Sequence, residues 1–455
     1  MFMYCQARDQ VFGTPGTPSG SCLRSAVSTL NLGALKILGA VSMVECYADG
    51  VAAGWKSPQQ RVKWLNERRI FQRIRQRGPL SRVDLGDETG LSAQTVGVIV
   101  RRLLDSQVIV ETGPTAHGKV GKQPIGLAIN PEGALAVGCN IERDGADITL
   151  VDLAGQVRQE TTLPFAAEMA AVSALHQIAK VVQSLLDQDP LHDKVIGLGI
   201  GTPGPIDPVS GAMVDPPHFA GWEGVAPGTI LTQNLHLPVV VDNDATAAAV
   251  GEAWRLRGEQ PTFLYCRWGV GIGGGLIRDA EVFPGLTGNV MELGHIVVNP
   301  QGTLCHCGAM GCLEAEASWW ALMRTAALWG QTDVSDIAGL VASQSWVGSW
   351  FSRAANYLGQ ALTTAVNLMD VDRVVIGGYH FEQVQNWLLP TIQDWLAAYA
   401  FRRKVRPVQV QPSDLGEKAG AIGAATLVFQ RWLPQTRDGG AMLGEETGGI
   451  RERVT

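Results

Sequence analysis

Charged residues are scarce in this sequence, and its cysteines lack the paired spacing of a disulfide framework. Charged residues make up 17% of the 455 residues and hydrophobic residues 46%, which is typical of a soluble globular protein and unlike an intrinsically disordered one. Five of the eight cysteines are scattered: Cys5, Cys22, Cys46, Cys139 and Cys266. This scatter argues against an oxidising compartment and favours a cytoplasmic protein.

A long uninterrupted hydrophobic run is also missing. Residues 26–44 come nearest, but Asn31 and Lys36 interrupt them, and the residues before them are not strongly basic as in a signal peptide. We therefore expect no membrane span and a poorly ordered extension over residues 1–57. Whether this extension is translated stays open, because Met43 is a second candidate start.

Positive charge is concentrated in one short segment of an otherwise acidic chain. The formal net charge is −7. Between Arg61 and Lys122, twelve Lys and Arg residues stand against six Asp and Glu residues, a local charge of +6 that leaves −13 for the rest. A small basic module on an acidic body is typical of a nucleic-acid-binding domain. The length of 455 residues, too great for one core, predicts two or three domains.

The basic segment has the pattern of three helices followed by two strands. The first helix ends before Gly78-Pro79, and Ser81 and Ser92 are predicted to be the N-caps of the next two. The strands VIVETG and PIGLAIN flank a loop rich in glycine and lysine. We predict a winged helix-turn-helix domain over residues 58–130. The side chains predicted to form its core are Ile70, Phe71, Ile74, Val96, Ile99, Val100 and Leu103.

Two interpretations of this small domain are open, a DNA-binding domain and a protein–protein interaction module. Its positive charge and the sharp TGLS turn favour DNA. The third helix would enter the major groove, with Gln94 and Thr95 at its start as base readers. Basic residues of the third helix and the wing would contact phosphates: Arg101, Arg102, Lys119 and Lys122.

After Pro131, strand and helix patterns alternate to about residue 430, which predicts an α/β fold. Glycine-rich segments follow predicted strands at four places, residues 199–204, 269–275, 377–378 and 416–425. Glycines at the carboxyl ends of strands let the backbone approach a ligand closely. We therefore expect the ligand site of this domain at these strand ends.

Three cysteines are clustered within eight residues, at Cys305, Cys307 and Cys312, with His295 ten residues upstream. Three thiolates and one imidazole are a ligand set that Zn²⁺ favours, and four protein ligands would make the metal structural. The alternative is three unrelated buried cysteines near a core histidine. The glycines within the cluster favour the zinc site, because they allow the tight turn that it needs.

Six segments of the chain resemble motifs of the ROK family (repressors, open reading frames and sugar kinases). They are LSAQTV, GIGTPGPID, VDNDATAAA, GVGIGGG, MELGH and CHCGAMGCLE. The resemblance covers residues 60–430 and is closest to the transcriptional-regulator branch. It implies a two-lobed actin-like/hexokinase fold over residues 131–430, with the second lobe at roughly 247–415, followed by a flexible tail at 431–455.

The resemblance also assigns roles to individual residues. It implies that His295, Cys305, Cys307 and Cys312 are zinc ligands, and that Asp244 would be the catalytic base if the chain were a kinase. The side chains that match sugar-hydroxyl contacts are Asn243, Asp244, Glu292, His295 and Glu314. Independently, carboxylates and amides are the groups that recognise neighbouring hydroxyls.

Departures from the family pattern lie in the predicted nucleotide half of the cleft. The first phosphate loop lacks the family's glycine and threonine and has Glu142 instead, whose charge would repel phosphates unless Arg143 offset it. In the second loop Val270 replaces a threonine. We therefore interpret the remaining glycines as vestiges of a nucleotide site and doubt ATP/Mg²⁺ binding: Gly269, Gly271, Gly273, Gly377 and Gly378.

These observations together predict a sugar-responsive transcriptional regulator, most simply a repressor. Operator DNA and a sugar or sugar phosphate would be its partners, and a homodimer or homotetramer would match a palindromic operator. Two alternatives stay open, an ATP-dependent sugar kinase with a DNA-binding domain and a scaffold that sequesters a partner. The sequence names neither the sugar nor the operator, nor the direction of regulation.

Overall fold

The computed structural model contains one two-stranded sheet and two five-stranded sheets. None of the helices in the described part of the chain combines the length and hydrophobicity of a membrane span. The predicted N-terminal extension, nearly all of the predicted tail, and Lys119 and Lys122 of the wing lie outside the described residues. The structure describes residues 58–114, 123–166, 169–217, 219–256, 261–331, 333–334 and 336–433.

The first five elements form the winged helix-turn-helix domain, which we call the head. Three helices precede an antiparallel pair of strands, in the predicted order. Each of the seven side chains predicted to form its core is at most 4% exposed. The elements are α1 (Pro58–Arg77), α2 (Arg82–Thr89), α3 (Ala93–Asp105), β1 (Ile109–Pro114) and β2 (Ile125–Ile129).

Side-chain caps define the helices of the head, as predicted. The Ser81 hydroxyl accepts a hydrogen bond from the Asp84 N–H at 3.2 Å, and the Asp84 carboxylate accepts one from the Ser81 N–H at 2.8 Å. The Ser92 hydroxyl accepts from the Thr95 N–H at 3.2 Å. Gly90, at φ 68°, ends α2 and makes the turn into α3. These caps fix the angle between α2 and α3 on which DNA reading depends.

The first lobe is built on a sheet of order β5-β4-β3-β6-β7. Strands β3, β4 and β5 are antiparallel, whereas β3, β6 and β7 are parallel. Helices α4 (Ala171–Gln188) and α5 (Pro227–Leu235) contribute buried side chains to the core on one face of the sheet. The strands are β3 (Leu135–Glu142), β4 (Gly145–Asp152), β5 (Val157–Pro164), β6 (Val195–Thr202) and β7 (Val239–Asn243).

The second lobe repeats this topology with a sheet of order β10-β9-β8-β11-β12. Three antiparallel strands are again followed by two parallel crossovers, in the same order along the chain. The strands are β8 (Phe263–Trp268), β9 (Ile272–Arg278), β10 (Glu281–Val282), β11 (Arg373–Gly377) and β12 (Gln409–Pro412). The helices are α7 (Leu313–Ala317), α8 (Trp319–Leu328), α9 (Ile337–Ser343), α10 (Ser345–Met369) and α11 (Phe381–Tyr399).

Two further helices join the lobes. Helix α6 (Asp244–Arg255) follows β7 directly, and α12 (Ala419–Trp432) returns from the second sheet to pack on β3, β6 and α6. The duplicated five-stranded sheets with crossover helices confirm the predicted two-lobed α/β fold. Because parallel strands from both sheets end near α6, the residues after those strands can meet in one cleft.

Candidate ligand cleft and metal cluster

A cavity of about 410 Å³ lies between residues of the two lobes, a size typical of sites for small molecules. It brings together side chains from the end of β7, the start of α6, the turn at Leu293–His295 and helix α7. The five predicted sugar contacts all line it: Asn243, Asp244, Glu292, His295 and Glu314. Residues that are up to 71 positions apart in the sequence thus face one volume.

The junction of β7 and α6 places two of these side chains. The Asn243 side-chain oxygen caps α6 by accepting hydrogen bonds from the N–H groups of Ala245 and Thr246, at 2.9 and 3.3 Å. Its amide nitrogen is therefore the atom that it can offer to a ligand. Asp244 is the first residue of the helix and is 7% exposed. One of its oxygens accepts from the Ala245 N–H at 2.7 Å.

Arg267, which the sequence analysis missed, holds the centre of the cleft. Its guanidinium forms ion pairs with Glu142 at the end of β3 and, at 3.4 Å, with Asp244. Burial alone would lower the pKa of Arg267, but the two carboxylates outweigh burial and raise it. Glu142 is therefore paired with Arg267, whereas from the sequence Arg143 was the residue that could have offset its charge. A charged arginine in the otherwise uncharged strand FLYCRW was the available signal.

The remaining predicted contacts crowd carboxylates together. The Glu314 carboxylate accepts from the Ile272 N–H at 2.9 Å. Burial raises the pKa of Glu314, with Glu292 and Asp244 adding to the rise and His295 opposing it. Desolvation in the cleft and the charge of Asp244 also raise the pKa of Glu292. Carboxylate oxygens grouped in this way can accept hydrogen bonds from neighbouring hydroxyls, which suits hydroxyl recognition.

The predicted metal ligands come together in the structure. The ligand atoms of His295, Cys305, Cys307 and Cys312 all lie within 4.8 Å of one another. The sulfurs of Cys307 and Cys312 are 3.6 Å apart, and the Cys305 sulfur lies 3.7 Å from Nδ1 of His295. Thiolates about 2.3 Å from a tetrahedral zinc would be roughly 3.8 Å apart. The donor set and its spacing therefore fit a metal ion, and these cysteines are free thiols, not disulfides.

The backbone of residues 305–312, which we call the knuckle, holds these ligands in place. The Cys305 N–H donates to the Ala309 carbonyl at 2.8 Å, closing a tight turn. Gly311 has φ 71°, and a Cβ there would come within 1.5 Å of the Asn299 carbonyl oxygen. Any other residue at position 311 would push the knuckle away from the Asn299 loop.

His306 is a second cleft residue that the sequence analysis did not identify. It lies between two of the metal-cluster cysteines and lines the same cavity. Its Nδ1 is 3.4 Å from a carboxylate oxygen of Glu314, and its ring centroid is 5.1 Å from that of His295. The metal cluster and the cavity thus share a wall. In the sequence, only the position of His306 inside a Cys-x-Cys motif could have indicated that it lines the cavity.

The glycines predicted to be vestiges of a nucleotide site are needed by the internal packing of the protein. A Cβ at Gly271 would lie 2.5 Å from a Glu314 carboxylate oxygen, and one at Gly273 would lie 2.9 Å from the Ala245 Cβ. At Gly378, whose φ is 117°, it would lie 2.5 Å from the Trp268 carbonyl oxygen, and at Gly377 2.4 Å from the Ser413 Cβ. Gly269 meets only ordinary contacts. Packing within the protein therefore favours glycine at four of the five positions, whether or not a nucleotide binds.

Aromatic side chains pack beside these glycine turns. The His380 ring lies 4.1 Å from the Trp319 ring and 4.0 Å from the Tyr379 ring, and its backbone N–H donates to Glu417 at 2.8 Å. Partial burial raises the pKa of Tyr379, and nearby carboxylates add to the rise: Asp144, Glu417, Asp147 and Glu142. The negative charge of these carboxylates disfavours the phosphates of a nucleotide at this place.

In the head, α3 exposes one stripe of its surface. Gln94 and Arg101 are exposed and line a shallow depression, with Arg82 of α2 beside them. The Thr95 hydroxyl lies 2.9 Å from the Ser92 hydroxyl and so belongs partly to the helix cap. Arg102 forms an ion pair with Glu67 of α1, which links α3 to α1 within the head.

Comparison with known families matches both parts of the chain. The sequence profile described as the ROK family matches residues 136–431. The profile described as winged helix-turn-helix DNA-binding matches residues 65–110.

Individual relatives match across both parts at once. The N-acetylglucosamine repressor of Escherichia coli is 29% identical over 389 residues, which cover 82% of this chain and 94% of that protein. The xylose repressor of Caldicellulosiruptor bescii is 26% identical over 392 residues, covering 82% and 97%. The crystal structure of a ROK family transcriptional regulator, a homologue of the Escherichia coli MLC protein, superposes with a TM-score of 0.67 at 27% identity, covering 81% of this chain and 96% of that one.

Proposed function

The chain belongs to the ROK family, and from this membership and the geometry of its cleft we propose that it is a sugar-responsive transcriptional repressor. Two relatives that match over nearly their full length are named as repressors, one of xylose and one of N-acetylglucosamine. The head supplies a DNA-binding domain, and the cavity supplies carboxylate, amide and imidazole groups. Both parts that a sugar-controlled repressor needs are therefore present.

The observation that favours a sensor over a kinase is the ion pair between Arg267 and Asp244. A base that deprotonates a sugar hydroxyl needs a carboxylate oxygen that is free to accept the proton. One oxygen of the Asp244 carboxylate already accepts from the Ala245 N–H, and the other faces the buried Arg267 guanidinium at 3.4 Å. Both oxygens are therefore engaged before a sugar hydroxyl arrives. The carboxylates of Asp144 and Glu417 near the glycine turns oppose the phosphates of a nucleotide as well. The cleft can hold a sugar but is poorly built to phosphorylate it.

We assign the metal cluster to one structural Zn²⁺ per chain, held by His295, Cys305, Cys307 and Cys312. Zinc with four protein ligands supplies no chemistry and stabilises the loop that holds it. The same loop carries His306 and leads into Glu314. The metal would therefore brace one wall of the sugar site.

The ligand that this cleft suits is a hexose, an N-acetylhexosamine or the 6-phosphate of either. Asn243, Asp244, Glu292, His295 and Glu314 would contact its hydroxyls. On DNA, α3 would enter the major groove with Gln94 and Thr95 at base edges, while Arg101, Arg102, Lys119 and Lys122 would contact phosphates. Gly97 and Val98 in the middle of α3 offer no polar group to bases, so sequence specificity should be modest. A homodimer or homotetramer would present paired heads.

A gel-shift competition tests this proposal. A DNA fragment is first selected from a random pool by the wild-type chain, and the sugars and sugar phosphates are then added one by one. We expect one of them to weaken DNA binding, because linkage requires that a ligand which favours the released conformation lowers affinity for DNA. DNA binding that is indifferent to every compound would contradict the sensor function.

The second candidate function, an ATP-dependent sugar kinase, is favoured by the position of Asp244. It stands at the N-terminus of α6 inside the cavity, where a sugar hydroxyl would lie. This function predicts release of ADP from glucose, N-acetylglucosamine or N-acetylmannosamine, abolished by Asp244→Asn. An enzyme-coupled ADP assay with these three sugars decides between the two functions.

A further inference from the structure

We propose that His306 is a ligand-contacting residue of the cleft. This inference rests on the proposed function, since it concerns the same site. His306 lines the cavity, and its Nδ1 is 3.4 Å from the Glu314 carboxylate. Its backbone lies between two cysteines of the metal cluster, which fixes where the ring can reach. A polyhydroxylated ligand bound by Glu314 would therefore also meet the imidazole of His306.

The geometry favours this role over metal binding. Nδ1 of His306 lies 3.7 Å from the Cys305 sulfur, the same distance as Nδ1 of His295. Only His295, however, belongs to the group of four residues whose ligand atoms all lie within 4.8 Å of one another. A second group joins His306 to His295 and Glu314, but Glu314 already accepts from the Ile272 N–H at 2.9 Å. Three thiolates attract zinc more strongly than two imidazoles and a carboxylate that is already bonded. The metal should thus stay with the cysteines.

Calorimetric titration with glucose, xylose and N-acetylglucosamine, with zinc analysis of each sample, tests this role. We expect His306→Ala to bind the wild-type's sugar about tenfold or more weakly while keeping one zinc, and His306→Asn to recover part of the affinity. Met310→Ala, on the same knuckle but outside the cavity wall, should match wild-type. Unchanged affinity in His306→Ala, or loss of its zinc, would overturn the role. A wild-type chain that binds none of these sugars, nor the 6-phosphates of glucose and N-acetylglucosamine, would overturn the proposed function itself.

A second inference, carried by a different set of contacts, concerns how the cleft communicates with the head. Helix α6 starts at the cleft with Asp244 and ends at the head. There, the carbonyls of Ala253 and Trp254 accept hydrogen bonds from Nη1 of Arg75, on α1, at 3.4 and 2.5 Å. The Arg75 guanidinium also lies 4.4 Å from the centre of the Trp254 ring. A helix of this length spans about 18 Å.

Strands β9 and β10 also connect the cleft with the head. Strand β9 begins at Ile272, whose N–H donates to Glu314 in the cleft, and β10 contains Glu281. The Glu281 carboxylate forms an ion pair with Arg68 of α1, and Arg68 also donates to the Gln430 carbonyl at 3.0 Å. Two elements that touch the candidate sugar contacts at one end thus both hold α1 at the other.

We infer that α6 and the β9–β10 hairpin transmit occupancy of the cleft to the head through Arg75 and Arg68. A ligand that competes for Asp244 and Glu314 acts on the first residue of α6 and on the start of β9. Any resulting displacement reaches α1 at two points, and tilting α1 moves α3, which packs on it. Coupling of this kind requires that ligand binding stabilises one position of these elements over another.

Decoupled variants test this relay. We expect Glu281→Gln and Arg75→Met to bind sugar and selected DNA like wild-type, but to lose most of the sugar-induced drop in DNA affinity, about tenfold or more. Arg77→Gln is the matched control, because Arg77 is on the same helix but pairs within the head, with Glu88 at 2.8 Å. Glu281 is 37% exposed at its side chain, so its variant should fold even if Arg75→Met does not.

Two outcomes would overturn the relay: a full sugar response in Glu281→Gln, or an equal loss of response in Arg77→Gln. Failure of the proposed function is distinct from both, because it would show as absent sugar binding or absent DNA binding in the wild-type chain. Hydrogen exchange of the α1 amides, with and without sugar, gives a second readout. Sugar should change their protection in wild-type and leave it unchanged in Glu281→Gln.

Discussion

The two halves of the cleft differ in the side chains that line them. The half near the knuckle keeps its polar side chains directed at an open cavity, with Glu314 and His306 on one wall and Asn243 on another. The half near Gly377 and Gly378 keeps its glycine turns, but aromatic rings pack beside them. The comparison teaches that the surrounding packing alone can require residues without a side chain, so a glycine motif does not by itself establish a nucleotide site. Side-chain chemistry, and not the glycine pattern, distinguishes a sensor from a kinase.

The largest expected effect comes from Arg267, which lies between the two halves. Arg267→Met leaves Glu142 and Asp244 buried without their shared partner, so we expect the free energy of unfolding to fall by about 3–5 kcal/mol. Chemical denaturation measures this. Arg406 is the matched control, because its pair with Asp372, at 2.9 Å, involves a side chain that is 68% exposed. Arg406→Met should cost less than about 1 kcal/mol, and equal costs would contradict a central role for Arg267.

Removal of a metal ligand tests whether the knuckle braces the sugar half. Cys307→Ala should reduce zinc from about one per chain to none and weaken sugar binding on the order of 100-fold, about 2.7 kcal/mol. The reason is that Glu314 and His295 lose their support. Metal analysis and calorimetry measure the two effects, with Met310→Ala as the control. Full sugar affinity in a zinc-free sample would show that the metal does not brace the site.

Asp242, directly before Asn243, should make the stability of the protein depend on pH. Burial raises the pKa of Asp242 to about 7. Because the folded state holds this proton more tightly than the unfolded state, its contribution to stability is complete below about pH 4 and is lost as the pH rises through about 7. Stability should fall by roughly 2 kcal/mol between about pH 5.0 and 6.5.

Asp242→Asn should remove this pH slope, as followed by urea denaturation at each pH. Asp193→Asn is the control, because that side chain is 90% exposed in the same lobe. A slope that persists unchanged in Asp242→Asn would assign it to another group. It would also contradict the raised pKa of Asp242.

The smallest effect compares two glycines that the sequence does not distinguish. A Cβ at Gly271 would press on Glu314 at 2.5 Å, whereas Gly269 meets its nearest atoms at 3.5 Å or more. Gly271→Ala should therefore weaken sugar binding about tenfold, close to 1.4 kcal/mol, and Gly269→Ala should leave it unchanged. Calorimetry with the same sugar measures both. Equal effects would mean that the two turns serve one function.

Sequence reasoning predicted the parts of the protein that local rules control. Ser81, Ser92 and Gly90 follow helix-capping rules, and the buried stripe of the head follows helical periodicity. The two-lobed fold and the five residues that share the cavity followed from motifs. In both cases the signal lies in neighbouring residues.

The contacts that decide function were not predictable in this way. Arg267 meets Glu142 across 125 positions of the sequence, and Arg68 meets Glu281 across 213. Such pairs depend on how the two sheets and the head pack together. The contact between the rings of Trp319 and His380, 61 positions apart, likewise arises only from the packing of the second lobe. Long-range packing, which no local pattern records, set the charge and the space of the nucleotide half.

The most direct test of the account is calorimetric titration of the wild-type chain with a sugar panel, in the presence and absence of MgATP. The account predicts that one sugar or sugar phosphate binds, that MgATP does not change its affinity, and that no ADP forms. Sugar-dependent release of ADP that disappears in Asp244→Asn would contradict it, because the nucleotide half of the cleft would then be functional.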